Sequence, residues 1–177
     1  MTILYVHGLL GSPQSEKVKY LESWFGKNNV IVPKLYSDNV NIIDDFRILE
    51  QIVKENKNLF IIGSSFGGFL AHELFRRYDL PTLLINPLLN VNQFGLAEIA
   101  DEYFEKEGNN YYLNIFCSTN DEIFGKDYVN KIADKFEDAK TIHYFDNKGH
   151  RFINFCEQEE LVKDIANYYY QENYLIN

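Results

Sequence analysis

The segment Leu59-Phe60-Ile61-Ile62-Gly63-Ser64-Ser65-Phe66-Gly67-Gly68 decides how this chain is read. Its first four residues form an unbroken apolar run, as expected for a strand buried on both faces of a sheet. Phe66 to Tyr78 reads as a helix. Between the two stands Gly63-x-Ser65-x-Gly67, the pattern of a strand that turns sharply into a helix at a serine. Such a turn holds the serine in a strained backbone conformation and pushes its hydroxyl outward, above the carboxyl ends of the strands. Residues two before and two after must be small, which Gly63 and Gly67 satisfy, and Gly68 lets the helix lie close to the sheet. The helix N-terminus favours negative charge developing beside it. In a chain with 10 glycines, a random match to this pattern is expected only about 0.02 times. The other readings are a plain glycine turn or a phosphate loop. The Gly-x-Gly-x-x-Gly and Gly-Lys-Ser/Thr patterns that a phosphate loop needs are absent.

Outward from this segment, Ile3–Val6, Val30–Val32, Thr82–Ile85, Tyr111–Cys117 and Thr141–Phe145 read as further strands. Helical spacing marks a first helix opening at Ser12-Pro13 and carrying Val18, Leu21 and Phe25. A second carries Ile42, Phe46, Leu49 and Val53 and stops near Asn56-Lys57-Asn58. Asp127–Phe136 and Glu159–Tyr170 read as helices, and Leu96–Phe104 as a short one. Strands alternating with helices predict βαβ units, hence a three-layer α/β/α sandwich with a mainly parallel central sheet. At 177 residues without repeats or linkers, one domain spanning 1–177 is expected.

Composition excludes several classes of function. The net charge is −9 and the longest basic cluster is Arg76-Arg77. Nucleic acid and anionic membrane surfaces are therefore not expected partners. No apolar run reaches the roughly 20 residues needed to span a bilayer. Met1 to Gly8 reads as a strand, not a signal peptide, so a cytoplasmic location is expected. Cys117 and Cys156 lack metal-site or disulfide spacing, so no metal is expected. The aromatic content, 16%, is enough to fill a core and would also serve a homo-oligomer interface.

A serine hydroxyl needs a base. Three histidines follow Ser65. His72 lies inside the helix after the turn and His143 inside a strand. His150, after Gly149 in the loop beyond the last strand, emerges at the same sheet edge as Ser65 and is the candidate base. The acid that orients an imidazole belongs in the loop after the preceding strand. Asp121 is the choice there, with Glu122 and Asp127 as substitutes, and Asp146 too near His150 in sequence to be preferred. Backbone N–H groups of Phe66 and Leu9 are the candidate oxyanion donors, with Gly8 allowing the turn that aims Leu9. His7 either holds that loop or caps its strand. His7, Gly8, Asn86 and Pro87 complete the candidate substrate side, Asn86-Pro87 as a pocket wall or a simple strand terminator.

The ordered set of motifs resembles the α/β-hydrolase superfamily, and within it the small bacterial YqiA-like esterases. It comprises His7-Gly8, Ser12-Pro13-x-Ser15, Gly63-Ser64-Ser65-Phe66-Gly67-Gly68, Ile85-Asn86-Pro87, Asp121-Glu122 and Gly149-His150-x-Phe152. The resemblance implies a compact hydrolase fold and hydrolysis of a small-molecule carboxylic ester with no cofactor, through Ser65, Asp121 and His150. Phe66 stands where Leu or Met is usual in that family. The stretch from Pro87 to Tyr111 is short, so a minimal lid and a preference for small acyl groups are expected. A thioesterase or acyltransferase with the same residues is the alternative, and a catalytically silent binding protein is the rival from another class.

Overall fold

A computed structural model describes residues 1–9, 11–36, 41–88, 112–125, 127–136 and 139–175, with side chains to 171. Six strands build one sheet: β1 (Thr2–Val6), β2 (Val30–Ile31), β3 (Leu59–Ser64), β4 (Thr82–Ile85), β5 (Leu113–Ser118) and β6 (Thr141–Phe145). Every pairing is parallel, in the order β2-β1-β3-β4-β5-β6. The central strands β3, β4 and β5 are buried at every residue, whereas the edge strands β2 and β6 are partly exposed. This is why β3 and β4 read as continuous apolar runs.

Successive residues of the strands feed two separate cores. Leu4, Val6, Leu59, Ile61, Leu84 and Ile115 point to one face. There they meet α2 (Ile42–Glu55), α3 (Phe66–Tyr78) and α4 (Tyr128–Lys135) through Phe46, Leu49, Leu70, Leu74 and Ile132. Ile3, Tyr5, Phe60, Ile62, Leu83, Ile85 and Phe116 point to the other, against α1 (Glu16–Phe25) and α5 (Glu159–Leu175) through Val18, Leu21, Val162 and Ala166. Each buried Leu, Ile or Phe contributes roughly 1.5–3 kcal/mol, so neither helical layer is dispensable. The three-layer parallel architecture expected from the sequence is the one found.

The expected elements fall within a few residues of those observed, with two differences. The first helix opens at Glu16, not at Ser12-Pro13. Ser12 instead accepts the Gln14 N–H on its hydroxyl and the Ser15 N–H on its carbonyl, which makes 12–15 a turn that delivers the chain to α1. The last helix continues to Leu175. The expected helix Leu96–Phe104, and with it the lid between Pro87 and Tyr111, lies outside the described residues beyond Leu88. Among the described residues, no helix is long and apolar enough to cross a membrane.

The register aligns the carboxyl ends of the strands. Val6 pairs with Gly63, Ser64 with Ile85, Ile85 with Phe116, and Ser118 with Phe145. The segments beginning at His7, Ser65, Asn86, Thr119 and Asp146 therefore leave the sheet along one edge, where open α/β sheets place their sites.

Helix α3 crosses the end of β1 so closely that a Cβ at Gly67 would lie 2.2 Å from the Val6 carbonyl oxygen and 2.3 Å from that of His7. A Cβ at Gly63 would lie 2.4 Å from Ala71 Cβ. Backbone cannot yield as a flexible side chain does, so Gly67→Ala should lose about 3 kcal/mol. A melting temperature lowered by roughly 6–12 °C in scanning calorimetry is the expected outcome.

Candidate active site

Ser65 sits at the junction of β3 and α3 with φ 55° and ψ −120°, a conformation that costs a non-glycine residue of order 1–3 kcal/mol. Backbone hydrogen bonds on both sides hold it there. Its N–H donates to the Ile85 carbonyl at 3.0 Å. Its own carbonyl accepts from Gly68 (2.9 Å), Phe69 (3.3 Å) and Leu88 (3.0 Å). The strain expected of a serine in this motif is present, and the surrounding backbone over-determines it.

The Ser65 hydroxyl lies 2.8 Å from His150 Nε2. On the other side of the ring, His150 Nδ1 lies 2.8 Å from Asp121 Oδ2. Asp121 is 3% exposed. Its second oxygen accepts the backbone N–H groups of Ile123 (2.9 Å) and Phe124 (3.0 Å), so its carboxylate is oriented by its own turn. The Phe124 ring meets the imidazole edge-on, with centroids 4.8 Å apart. Serine, imidazole and carboxylate thus form one continuous line, in the chain order Ser, Asp, His.

The other acidic candidates stand elsewhere. Glu122 accepts the backbone N–H of His150 at 2.7 Å. That hydrogen bond holds its carboxyl below the usual carboxylate range. Asp127 precedes α4 as its N-terminal cap residue, and Asp146 is bonded to the Thr119 hydroxyl at 2.5 Å. The His72 ring packs against Phe75 and Phe136. His143 packs against Phe116, and burial lowers its pKa. Cys117 is buried in β5, where desolvation pushes its thiol up to about 12. It is no thiolate nucleophile at neutral pH.

On the opposite side of Ser65, the loop after β1 comes close. A Cβ at Gly8 would lie 3.2 Å from Ser65 Cβ and 3.7 Å from its hydroxyl oxygen. His7 is 2% exposed. Its Nδ1 lies 2.9 Å from the Gly8 carbonyl, its own carbonyl accepts the Tyr36 hydroxyl at 2.9 Å, and its ring meets that of Tyr36 edge-on. The loop-holding reading of His7 therefore describes its contacts. Leu9 packs its side chain on the α2–α3 core. Phe66 is 4% exposed, its ring turned into that core against Tyr36 and Phe69.

Asn86 and Pro87, read as a pocket wall or a strand terminator, are both buried. Asn86 is fully buried, with φ 42°, and its side chain is occupied three times over. The amide nitrogen donates to the carbonyls of Gly149 (2.9 Å) and His150 (3.1 Å). The amide oxygen accepts the Ser118 N–H at 2.7 Å. Pro87 is buried beneath Gly68, and its carbonyl accepts the Tyr128 hydroxyl at 2.6 Å. Sequence reasoning missed this role for Asn86. The available signal was an asparagine at the end of a buried strand, a type that both tolerates positive φ and offers donor and acceptor together.

Among the described residues, no group of three or more His, Cys, Asp or Glu side chains is arranged to hold a metal ion.

With this geometry in place, relatives can be compared. The model of an uncharacterised protein family, UPF0227, matches residues 2–115. The chain belongs to that family. This is the YqiA-like family that the motifs resemble. The matched stretch contains His7, Ser65 and Asn86, while Asp121 and His150 follow it. Among solved structures, a candidate hydrolase of the α/β superfamily from Xanthomonas campestris is 15% identical, with TM-score 0.68 over 97% of this chain and 99% of that one. An α/β serine hydrolase without a lid, from the same organism, is 14% identical, with TM-score 0.68 over 95% and 81%. Est1E from Butyrivibrio proteoclasticus is 13% identical, with TM-score 0.63 over 96% and 87%. The fold is that of the α/β-hydrolase superfamily.

Replacing Asn86 with alanine would leave the Ser118 N–H and the His150 carbonyl without these partners. Buried polar groups left unpaired cost about 1–3 kcal/mol each. Urea unfolding of Asn86→Ala should show a loss of at least about 2 kcal/mol, whereas exposed Asp146→Asn should stay within about 0.5 kcal/mol of the unaltered protein.

Proposed function

We propose that this protein is a serine hydrolase that cleaves small carboxylic esters through an acyl-enzyme intermediate. The observation that carries the reading is the unbroken hydrogen-bonded line from the Ser65 hydroxyl through His150 to Asp121, at 2.8 Å on each side of the ring.

In this mechanism His150 Nε2 takes the proton from Ser65 as its oxygen attacks the ester carbonyl carbon. Asp121 keeps the Nδ1 proton in place and stabilises the imidazolium that forms. The backbone N–H of Phe66, at the first residue of α3, and that of Leu9 bind the oxyanion, each donor worth roughly 3–4 kcal/mol. The tetrahedral intermediate then expels the alcohol, which takes its proton from His150. Water, deprotonated by the same nitrogen, attacks the acyl carbon, and the second tetrahedral intermediate collapses to the acid as the Ser65 oxygen leaves and takes that proton back from His150. Among the structural relatives, the metagenome-derived lipolytic enzymes LipS and LipT, set among lipase and esterase families, give this chemistry on the same fold precedent.

A fluorophosphonate probe followed by intact-mass measurement should add one adduct to the protein and none to Ser65→Ala. Absence of an adduct on the folded protein would sink the reading. Asp121→Asn, which forces the imidazole toward the wrong tautomer, should lower kcat by about 10³-fold or more. In a series of p-nitrophenyl esters, kcat/KM should be higher for acetate and butyrate than for palmitate. The reverse order would refute the small-acyl assignment.

A further inference from the structure

His150 is carried by a loop that gets little support from regular structure. Residues Asn147, Gly149, Phe152 and Asn154 all have positive φ, near 58°, 61°, 52° and 55°. Side chains from distant elements hold the loop instead. The Gly149 N–H donates to Asn120 Oδ1 at 3.1 Å. The His150 N–H donates to Glu122 Oε2 at 2.7 Å. The carbonyls of both residues accept from Asn86 Nδ2, and that of Gly149 also closes a turn with the Phe152 N–H at 3.1 Å. Lys17 of α1 donates to the carbonyl of Arg151.

Glu122 differs from the other holders in its place in the chain. It directly follows Asp121, whose carboxylate holds the imidazole at Nδ1. Two consecutive residues thus grip one histidine at two points, the ring and the backbone nitrogen. Asn86 supplies a third point at the His150 carbonyl, in the peptide unit that follows its Cα. Asp121 is locked by its own turn, so ring and backbone are referred to one rigid loop after β5. Gly149 is fitted to the same contact: a Cβ there would lie 2.9 Å from Glu122 Oε2.

We infer that Glu122 is a positioning residue for the nucleophile's base: by holding the His150 backbone N–H it fixes where the imidazole stands against the Ser65 hydroxyl. The kinetic part of this inference rests on the serine hydrolase reading above. The geometric part does not. Glu122 is exposed, so its bond to His150 is not a requirement for burying a core, and its removal leaves the three layers intact. An exposed bond to a charged side chain contributes little to stability by itself. Here the acceptor points at the one backbone N–H that sets the root of the catalytic side chain.

The test compares Glu122→Ala and Glu122→Gln with the unaltered protein in three readouts. These are amide hydrogen exchange at His150 by NMR, the rate of fluorophosphonate labelling at Ser65, and the kcat and KM for p-nitrophenyl butyrate. Glu122→Ala should exchange the His150 amide at least about tenfold faster, with labelling and kcat lowered about tenfold or more and KM within about twofold. Glu122→Gln keeps a carbonyl acceptor and should restore protection and bring kcat to within about threefold. A wild-type labelling rate in Glu122→Ala overturns the positioning role. So does a Glu122→Gln variant as impaired as the alanine one, since that assigns the effect to charge and not to the held N–H. If the unaltered protein takes up no probe, the hydrolase reading fails. The inference then stands or falls on exchange alone, and unchanged protection of the His150 amide in Glu122→Ala overturns it.

Discussion

Much of this molecule depends on how closely the first turn of α3 presses on the end of β1. The backbone of Gly67 lies against the carbonyls of Val6 and His7 with no room for a side-chain carbon. That approach brings the start of the helix under the loop that follows β1, and it puts Gly8 within van der Waals reach of Ser65. It also leaves the chain no relaxed path from strand to helix, so Ser65 takes a strained conformation with positive φ. The strain is met by the Ser65 N–H donating to the Ile85 carbonyl and by the N–H groups of Gly68, Phe69 and Leu88 donating to the Ser65 carbonyl. Packing in the interior is thereby converted into an outward-facing hydroxyl at the sheet edge.

The other half of the site is organised by polar contacts. The segment bearing His150 lies beyond the ladder of β6, where strand pairing can no longer satisfy its backbone. Asn86, Asn120 and Glu122 supply partners to that backbone from the ends of β4 and β5. One half of the site is thus set by steric exclusion and the other by hydrogen-bond direction. The two meet at the 2.8 Å contact between Ser65 and His150.

The sequence made the first half legible and the second only in part. A buried apolar run, two glycines flanking a serine and a following amphipathic stretch are local signals, and β3, Ser65 and α3 fall where those signals put them. β4 and β6 matched to the residue because each is bounded by a turn residue or a polar stop. The first helix was read three residues early, because a Ser-Pro pair opens turns as readily as helices. The partners of Ser65 were found from their order along the chain, and the structure brings those residues together. The duties of Asn86 and Glu122 were misplaced for one common reason. Each acts on the backbone of a residue far along the chain, and a backbone amide or carbonyl leaves no mark in a sequence.

The strand order carries a consequence for the chain's biosynthesis. β1 and β3 sit inside the sheet, β6 forms its rim, and His150 follows β6. The base meets its serine across 85 residues of chain. Domains are made from the N-terminus forward, and pairings this distant in sequence form slowly. During translation Ser65 can already be shaped by β1, β3 and α3, while the groups that would activate it have yet to leave the ribosome. A chain stopped before β6 docks would carry the serine turn without His150 beside it. The topology thus makes the serine turn early and leaves its hydrogen-bonded partner His150 until after the last strand.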